Sequence, residues 1–150
     1  MRCLLKAACL IATLQSCLSL AAGEEPVYTS FFSNVALSGH DAVAYFTESK
    51  SIKGDSDFRT EYMGVRWYFV SEANLQAFEK EPSRYAPEYG GYCAWAVSQG
   101  YTAKGNPDSW TLVNGKLYLN FDGEVQKIWK ADTPRYIELA DKYWPGLIAP

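Results

Sequence analysis

Aromatic side chains are concentrated after residue 22, where all 5 Trp, 11 Tyr and 7 Phe of the chain lie. Each of these side chains buries a large area, so together they can build a hydrophobic core. Cys93 is the one cysteine in this region and therefore cannot form an intramolecular disulfide there. We expect the chain after residue 22 to fold as one domain held together by aromatic packing.

The first 22 residues have a different composition. Arg2 and Lys6 flank the start of an apolar run over residues 7–14. The small residues Ala21 and Ala22 follow this run. A basic start, an apolar segment and a small-residue exit are typical of a secretory signal peptide. We therefore expect residues 1–22 to be a signal peptide and the mature protein to be exported, either to the periplasm or as a secreted protein.

Two other interpretations of this segment stay open. A transmembrane helix needs about 20 apolar residues, and the run here is shorter and is interrupted by Gln15 and Ser16. The residues 14–17 resemble a bacterial lipobox, in which Cys17 would carry a lipid anchor on a protein that does not span the membrane. Cleavage after Ala21 or Ala22 is the favoured expectation.

The charge balance argues against a polyanionic partner. The chain carries 14 basic and 17 acidic residues, for a formal net charge of -3. Binding to nucleic acid relies on a basic excess that neutralises phosphate groups, and this chain has none. The sequence also contains neither a phosphate-binding loop nor a serine nucleophile motif. We therefore expect no nucleic-acid partner.

Two antiparallel hairpins are predicted from turn residues between aromatic or apolar runs. One is centred on Met63-Gly64, and the other on Asn114-Gly115, a dipeptide that favours the type I′ turn. A short apolar run at residues 42–46 is predicted as a buried strand. The sequence shows no internal repeat.

Four helices are predicted around these strands and turns. Ser71 caps the first, which ends before Pro82, and a short helix follows Gly90-Gly91 with Cys93 in its first turn. The last two helices follow Asp122 and the pair Thr133-Pro134. Their inward-facing side chains are predicted to be Val125, Ile128, Trp129, Tyr136, Ile137, Ala140 and Tyr143.

The fold class expected from these elements is α+β: a small single domain of antiparallel hairpins packed with short helices. Apart from the signal peptide, the domain is expected over residues 35–145. A leading segment at residues 23–34 precedes it, and a short tail at residues 146–150 follows it.

The aromatic hairpin and the helix after it resemble the YHS domain, whose core is an aromatic hairpin, a helix and a Pro-x-x-Tyr ending. Two flanking stretches are similar to the exported, single-domain branch of that family, and the resemblance covers roughly residues 35–145. The residues that carry it are Gly39–Phe46, Tyr62–Ser71, Phe78, Glu81-Pro82, Tyr85–Pro87 and Tyr89–Ala94.

The resemblance implies an association with metals, because YHS domains occur in heavy-metal proteins that include copper-transport ATPases. Metal-binding members carry cysteines after an Asp-Pro-Val motif, after the aromatic strand and at the helix start. In this chain Ala44, Val70 and Asn74 stand at those places. The usual thiolate set of the family is therefore missing, and metal binding at these positions is not expected.

Cys93 and His40 are the remaining candidate metal ligands, as the sole cysteine and the sole histidine after residue 22. A thiolate and an imidazole suit copper best and zinc less well, whereas two protein ligands are too few for a closed structural zinc site. The expected function is an exported module that holds or passes copper, with a copper donor or acceptor protein as its partner. Whether His40 and Cys93 meet in space is a hypothesis at this point.

Several alternatives stay open for the same residues. Asp41 is a candidate to orient His40 or to serve in a turn, and Met63 is either a thioether ligand or a turn residue. Tyr92 and Trp95 are candidates to line an aromatic pocket for a small ligand or a protein partner. An enzyme with Cys93 as nucleophile and His40 as base lacks a recognisable orienting group.

Overall fold

The computed structural model describes residues 23–150. The predicted signal peptide, with its candidate lipidation site at Cys17, lies outside the described residues. The helices are α1 (Ala44–Thr47), α2 (Glu72–Lys80), α3 (Pro82–Tyr85), α4 (Ala94–Ser98), α5 (Gly123–Ala131) and α6 (Thr133–Leu147). The strands are β1 (Asp55–Tyr62), β2 (Val65–Phe69), β3 (Asn106–Val113) and β4 (Lys116–Asn120). Two 3-10 turns, Ala36–Gly39 and Glu88–Gly91, precede α1 and α4.

The two predicted hairpins are confirmed. β1 pairs with β2 and β3 pairs with β4, both antiparallel, in two separate two-stranded sheets. Met63 and Gly64 have φ of 53° and 76°, and Asn114 and Gly115 have φ of 51° and 74°. A left-handed backbone at both central residues is the requirement of the type I′ turn, so the turn dipeptides account for both hairpins.

The predicted strand at residues 42–46 is wrong, because the chain there turns into α1. The carboxylate of Asp41 accepts hydrogen bonds from the backbone N–H of Val43 at 2.8 Å and of Ala44 at 3.1 Å. These bonds satisfy N–H groups at the start of a helical turn and thereby favour helix over strand. A short apolar run does not distinguish a buried strand from a buried helix by periodicity.

The helix starts predicted at Ser71 and Asp122 are confirmed by their side-chain caps. Ser71 accepts a hydrogen bond from the N–H of Asn74, and Asp122 accepts one from the N–H of Val125. Such caps satisfy N–H groups that have no partner within the helix. Trp129 is fully buried in α5 as predicted.

Two inward positions were predicted wrongly in the last two helices. Ile128 is 48% exposed and Tyr143 is 40% exposed. In α6 the buried stripe continues from Ala140 to Trp144, which packs on the second cluster of core side chains, so Tyr143 lies at the edge of that stripe. Whether a side chain at the edge of an apolar stripe is buried or exposed depends on how the helix is rotated against its neighbours.

The structure contains an internal repeat that the sequence analysis did not predict. The order 3-10 turn, short helix, hairpin, capped helix, helix occurs first over residues 36–85, the first unit, and again over residues 88–147, the second unit. The backbone agrees in detail: Leu37 and Ser38 have φ of 52° and 50°, and their counterparts Tyr89 and Gly90 have φ of 53° and 61°. Each hairpin also has a register irregularity near the start of its first strand.

The two units share a core and form one small α+β domain, as predicted. The first cluster of buried side chains centres on Trp67, Phe69 and Phe78 and also includes Leu117 and Leu119 from β4 of the second unit. The second cluster contains Tyr89, Tyr92, Tyr118, Trp129 and Ala140. Because β4 contributes side chains to the first cluster, the units are packed through a common interior.

The leading segment and the tail pack together on this domain. Glu24 forms a parallel bridge with Ile148, and Val27 is only 3% exposed. The N–H of Tyr28 donates to the carbonyl of Gly90 at 3.0 Å in the second 3-10 turn. Within residues 23–150, no helix combines the length and the apolar character needed to cross a membrane.

Candidate functional site

Asp41 is a fully buried carboxylate that joins three elements of the first unit. One oxygen accepts the N–H groups of Val43 and Ala44 at the start of α1. The other accepts the N–H of Val70, just after β2, at 2.8 Å and the side-chain amide of Asn74 in α2 at 2.7 Å. All four bonds are made inside the fold, so Asp41 stabilises the first unit and does not orient His40.

The three positions at which the family resemblance implies cysteines converge on Asp41. Ala44 and Val70 donate their backbone N–H groups to its carboxylate, and Asn74 donates its side-chain amide. None of these three side chains offers a thiolate, and the carboxylate is already occupied by four donors. The residues present at this centre therefore do not fit a thiolate-bound metal ion.

His40 lies at the end of the first 3-10 turn, beside β1. Its Nδ1 lies 3.0 Å from the carbonyl oxygen of Leu37, and its backbone pairs with Lys53. Because a carbonyl oxygen only accepts, Nδ1 is the donor in this bond, and in the neutral imidazole the lone pair then lies on Nε2. An N–H donated to a carbonyl is the usual arrangement behind a metal-ligating histidine.

Cys93 directly precedes α4 and is only 1% exposed. It therefore occupies the cap position of α4, outside the first turn in which it was predicted, and it is also a packing residue. Burial raises the pKa of its thiol above the ordinary value, while the backbone N–H groups of Ala96, Phe121 and Trp95 act in the opposite direction. The sulfur is thus buried, and its thiol donates a hydrogen bond to Oδ1 of Asn120 at 3.7 Å.

Cys93 occupies in the second unit the place that Asp41 has in the first. Each residue lies two positions after the end of a 3-10 turn and shortly before a short helix. The N–H of Asp41 donates to Ile52, and that of Cys93 donates to Ala103, at 2.9 Å in both cases. The second unit therefore has a thiol at the position where the first unit has a carboxylate.

Asn120 is a buried residue beside Cys93 that the sequence analysis did not identify. Its Oδ1 accepts the N–H of Trp95 at 3.2 Å and lies 3.7 Å from the Cys93 sulfur. Its side-chain Nδ2 is buried without a hydrogen-bond partner. No local pattern marks Asn120 itself. The sequence signal for the neighbouring position is the pair of similar stretches Gly39–Ala42 and Gly91–Ala94, which align Cys93 with Asp41.

His40 and Cys93 lie in different units, and their partners do not overlap. His40 bonds to Leu37 and pairs with Lys53, whereas Cys93 contacts Leu119 and Asn120. Within residues 23–150, no group of three or more His, Cys, Asp or Glu side chains is arranged to hold a metal ion. A shared site of His40 and Cys93 therefore stays a prediction.

Tyr92 and Trp95 have separate aromatic partners. Tyr92 is 6% exposed and meets Tyr28 edge to face, with ring centroids 5.4 Å apart. Its burial, together with Glu24 and Glu25, raises the pKa of the Tyr92 phenol to about 12.

The indole of Trp95 instead packs against Tyr101, at 6.4 Å between ring centroids. A cavity of about 220 Å³ lies elsewhere, where the leading segment and α6 meet the two units. Its aromatic lining residues are Tyr62, Trp67, Tyr89 and Trp144. Its volume is below the roughly 300–1,000 Å³ of ordinary ligand pockets, whereas a cavity of about 350 Å³ beside Tyr28 and Tyr92 falls within that range.

Comparison with known proteins gives a match that falls largely in the first unit. The family model of the YHS domain matches residues 43–89, which run from the start of α1 into the second 3-10 turn. No curated protein and no solved structure matches the chain. The matched segment contains Ala44, Val70 and Asn74, whereas His40, Asp41 and Cys93 lie outside it.

Proposed function

Since this chain carries a YHS domain at residues 43–89, a domain generally associated with metal handling, we propose that it is an exported copper-binding module. Cys93 is the proposed sulfur ligand, and His40 is the proposed imidazole ligand. Copper(I) is the preferred ion, because a thiolate is a soft ligand and an imidazole suits copper in both oxidation states. Zinc is the less favoured alternative.

The observation that carries the proposal is the environment of the Cys93 sulfur. Burial raises the pKa of its thiol, and the backbone amides of Ala96, Phe121 and Trp95 lower it. Such donors favour the thiolate, which is the form that binds metal ions. Burial opposes this effect, so a thiophilic ion that displaces the thiol proton is favoured over a hard ion.

The lack of a thiol in the first unit also supports Cys93 as the sulfur ligand. Its family cysteine positions hold no thiol, and its central carboxylate is saturated with hydrogen bonds. Sulfur ligation in residues 23–150 is therefore limited to Cys93 and the thioether of Met63. Met63 lies in the β1–β2 turn and is 52% exposed, which suits a turn residue better than a ligand.

His40 supports the proposal through its free ring nitrogen. With Nδ1 bonded to the carbonyl of Leu37, Nε2 is available as a ligand. Two protein ligands leave copper(I) accessible to a further ligand, which suits transfer to or from a donor or acceptor protein better than permanent storage.

The test is a titration of copper(I) under anaerobic conditions against a competing chelator, with protein purified without a polyhistidine tag. We expect Cys93→Ala to weaken copper binding by about tenfold or more, since one strong ligand is lost. His40→Ala is expected to weaken it by a similar factor. Met63→Leu is the matched control and is expected to bind copper like the parent.

Equal copper affinity of the parent and Cys93→Ala would overturn the proposal. An aromatic-lined binding or interaction domain without metal would then be the better description. Loss of binding in Cys93→Ala but not in His40→Ala would remove His40 from the site and keep Cys93.

Export is the second part of the proposal. The basic start, apolar run and small-residue exit of residues 1–22 support it. In an exporting host we expect the first mature residue to be 22 or 23, as measured by the mass of the N-terminal peptide. A peptide that begins at Met1 would contradict export, and a lipid-modified Cys17 would replace free secretion with membrane anchoring.

A further inference from the structure

We propose that the cavity where the leading segment and α6 meet the two units is a binding site for a quaternary ammonium cation, such as choline. Four aromatic side chains and one carboxylate line this cavity. Cages of aromatic rings are the usual recognition sites for such cations. The inference goes beyond copper binding and does not depend on it, since neither His40 nor Cys93 lines the cavity.

The aromatic side chains come from both units, in two neighbouring pairs. Tyr62 at the end of β1 and Trp67 in β2 have ring centroids 6.1 Å apart and ring planes inclined at 57°. Tyr89 in the second 3-10 turn and Trp144 in α6 have ring centroids 5.9 Å apart and ring planes inclined at 64°. Because the rings of each pair are steeply inclined and not stacked flat, the four rings can surround a small group.

The polar ends of two of these side chains already have partners. The indole N–H of Trp67 donates to the carbonyl oxygen of Tyr62 at 3.0 Å, and the phenol of Tyr89 donates to the carboxylate of Asp141 at 2.8 Å. Trp67 and Tyr89 therefore offer the cavity their rings and not a hydrogen-bond donor. The negative face of an aromatic ring attracts a cation, so this lining favours a cation over a neutral polar ligand.

Glu88 supplies a negative charge, and it is the one charged residue among the lining residues within 23–150. Its Oε1 lies 4.0 Å from Nζ of Lys116, which is too long for a hydrogen bond, and the Lys116 side chain is 58% exposed. An exposed pair of this kind is weak, so the carboxylate is available to a second cation. Burial raises the pKa of the Glu88 carboxyl, Lys116 opposes the rise and Asp141 adds to it.

The size of the cavity selects the kind of cation. About 220 Å³ is too small for a drug-sized ligand, whereas a dry cavity of about 150 Å³ already holds benzene. A trimethylammonium group has a similar bulk, has no N–H to donate, and can contact the rings through its methyl groups. A primary ammonium group holds its water tightly, and aromatic rings cannot replace that water. Met63 and Ser83 are exposed lining residues, so the cavity can be reached from solvent.

Proton NMR of the ligand tests the proposal on the purified protein without added copper. Choline is titrated beside its neutral carbon analogue, in which a tert-butyl group replaces the trimethylammonium group. We expect the N-methyl signal of choline to broaden and move upfield, because the methyl groups would lie against aromatic rings. Choline is expected to bind at least about tenfold more tightly than the neutral analogue.

A titration with phosphocholine distinguishes two sources of the same cation. Tighter binding of phosphocholine than of choline would assign the site to the headgroup of a lipid. Tighter binding of choline would assign it to a free cation, and this is the result that we expect, because the phosphate would lie near the carboxylate of Glu88.

Three variants test the individual parts of the site. Glu88→Gln is expected to weaken choline binding by about fivefold or more and to leave the neutral analogue unaffected. Trp144→Leu removes one ring, keeps an apolar side chain and is expected to weaken choline binding by a similar factor. Glu138→Gln changes an exposed carboxylate of α6 outside the cavity and is the matched control. Thermal unfolding checks that each variant is folded, and the comparison of the two ligands on the unaltered protein needs no variant.

Two results would overturn the proposal. One is choline that binds no more tightly than its neutral analogue, because the cavity would then be only an apolar space. The other is a folded Glu88→Gln variant with the choline affinity of the unaltered protein, because the carboxylate would then not face the cation. A failed copper titration leaves both measurements unaffected, since His40 and Cys93 lie outside the cavity.

Discussion

Asp41→Ala is expected to lower the free energy of unfolding by about 3–5 kcal/mol. The substitution leaves the N–H groups of Val43, Ala44 and Val70 and the amide of Asn74 without their acceptor. Each buried donor left unpaired costs about 1–3 kcal/mol, although partial access of water reduces the sum. Urea denaturation measures the effect, and a fall in Tm of roughly 10 °C or more should accompany it.

Asp57→Ala is the matched control for this prediction. Asp57 lies on β1 of the same unit, and its side chain is exposed to solvent. A surface substitution of this kind is expected to change stability by no more than about 0.5 kcal/mol. If Asp41→Ala unfolds at the same urea concentration as Asp57→Ala, the carboxylate does not hold α1, β2 and α2 together.

Trp129→Ala is expected to lower the free energy of unfolding by about 3–5 kcal/mol, the usual range for a large aromatic residue removed from a core. Trp129 is fully buried in α5 and packs on Tyr118, with ring centroids 5.2 Å apart. The substitution would leave a cavity in the second cluster of core side chains. Chemical denaturation followed by far-UV circular dichroism measures the loss.

Ile128→Ala provides the comparison within the same helix. Ile128 is 48% exposed, so we expect a loss of less than about 1 kcal/mol. An equal loss for the two variants would mean that α5 is rotated, with both residues facing the interior as the sequence analysis predicted. The pair of variants therefore tests the orientation of α5 directly.

Local turn and cap chemistry made several elements predictable from the sequence. Asn114-Gly115 and Met63-Gly64 specify hairpins, because few residues adopt a left-handed backbone at two successive positions. Ser71 and Asp122 specify helix starts, because their side chains accept hydrogen bonds from backbone N–H groups that lie three residues later in the chain. These signals involve neighbours in sequence and do not depend on how the elements pack.

Other elements depended on packing and were predicted incorrectly. The apolar run at residues 42–46 suits a buried strand and a buried helix equally well, and the hydrogen bonds of Asp41 select the helix. The exposed positions of Ile128 and Tyr143 depend on the rotation of α5 and α6 against the core. The internal repeat was missed because it is preserved in the backbone far more than in the residue types.

The sequence by itself determined that the described chain has one thiol and one imidazole, and that Ala44, Val70 and Asn74 stand where the family resemblance implies cysteines. Only the tertiary structure decided that these three positions converge on Asp41, and that Cys93 has the corresponding place in the second unit. The physical reason is the range of the contacts. Asp41 reaches Val70 and Asn74 across 29 and 33 positions, and Cys93 reaches Asn120 across 27. Such contacts form only when a hairpin folds back onto the turn before it, which no local pattern of residues specifies.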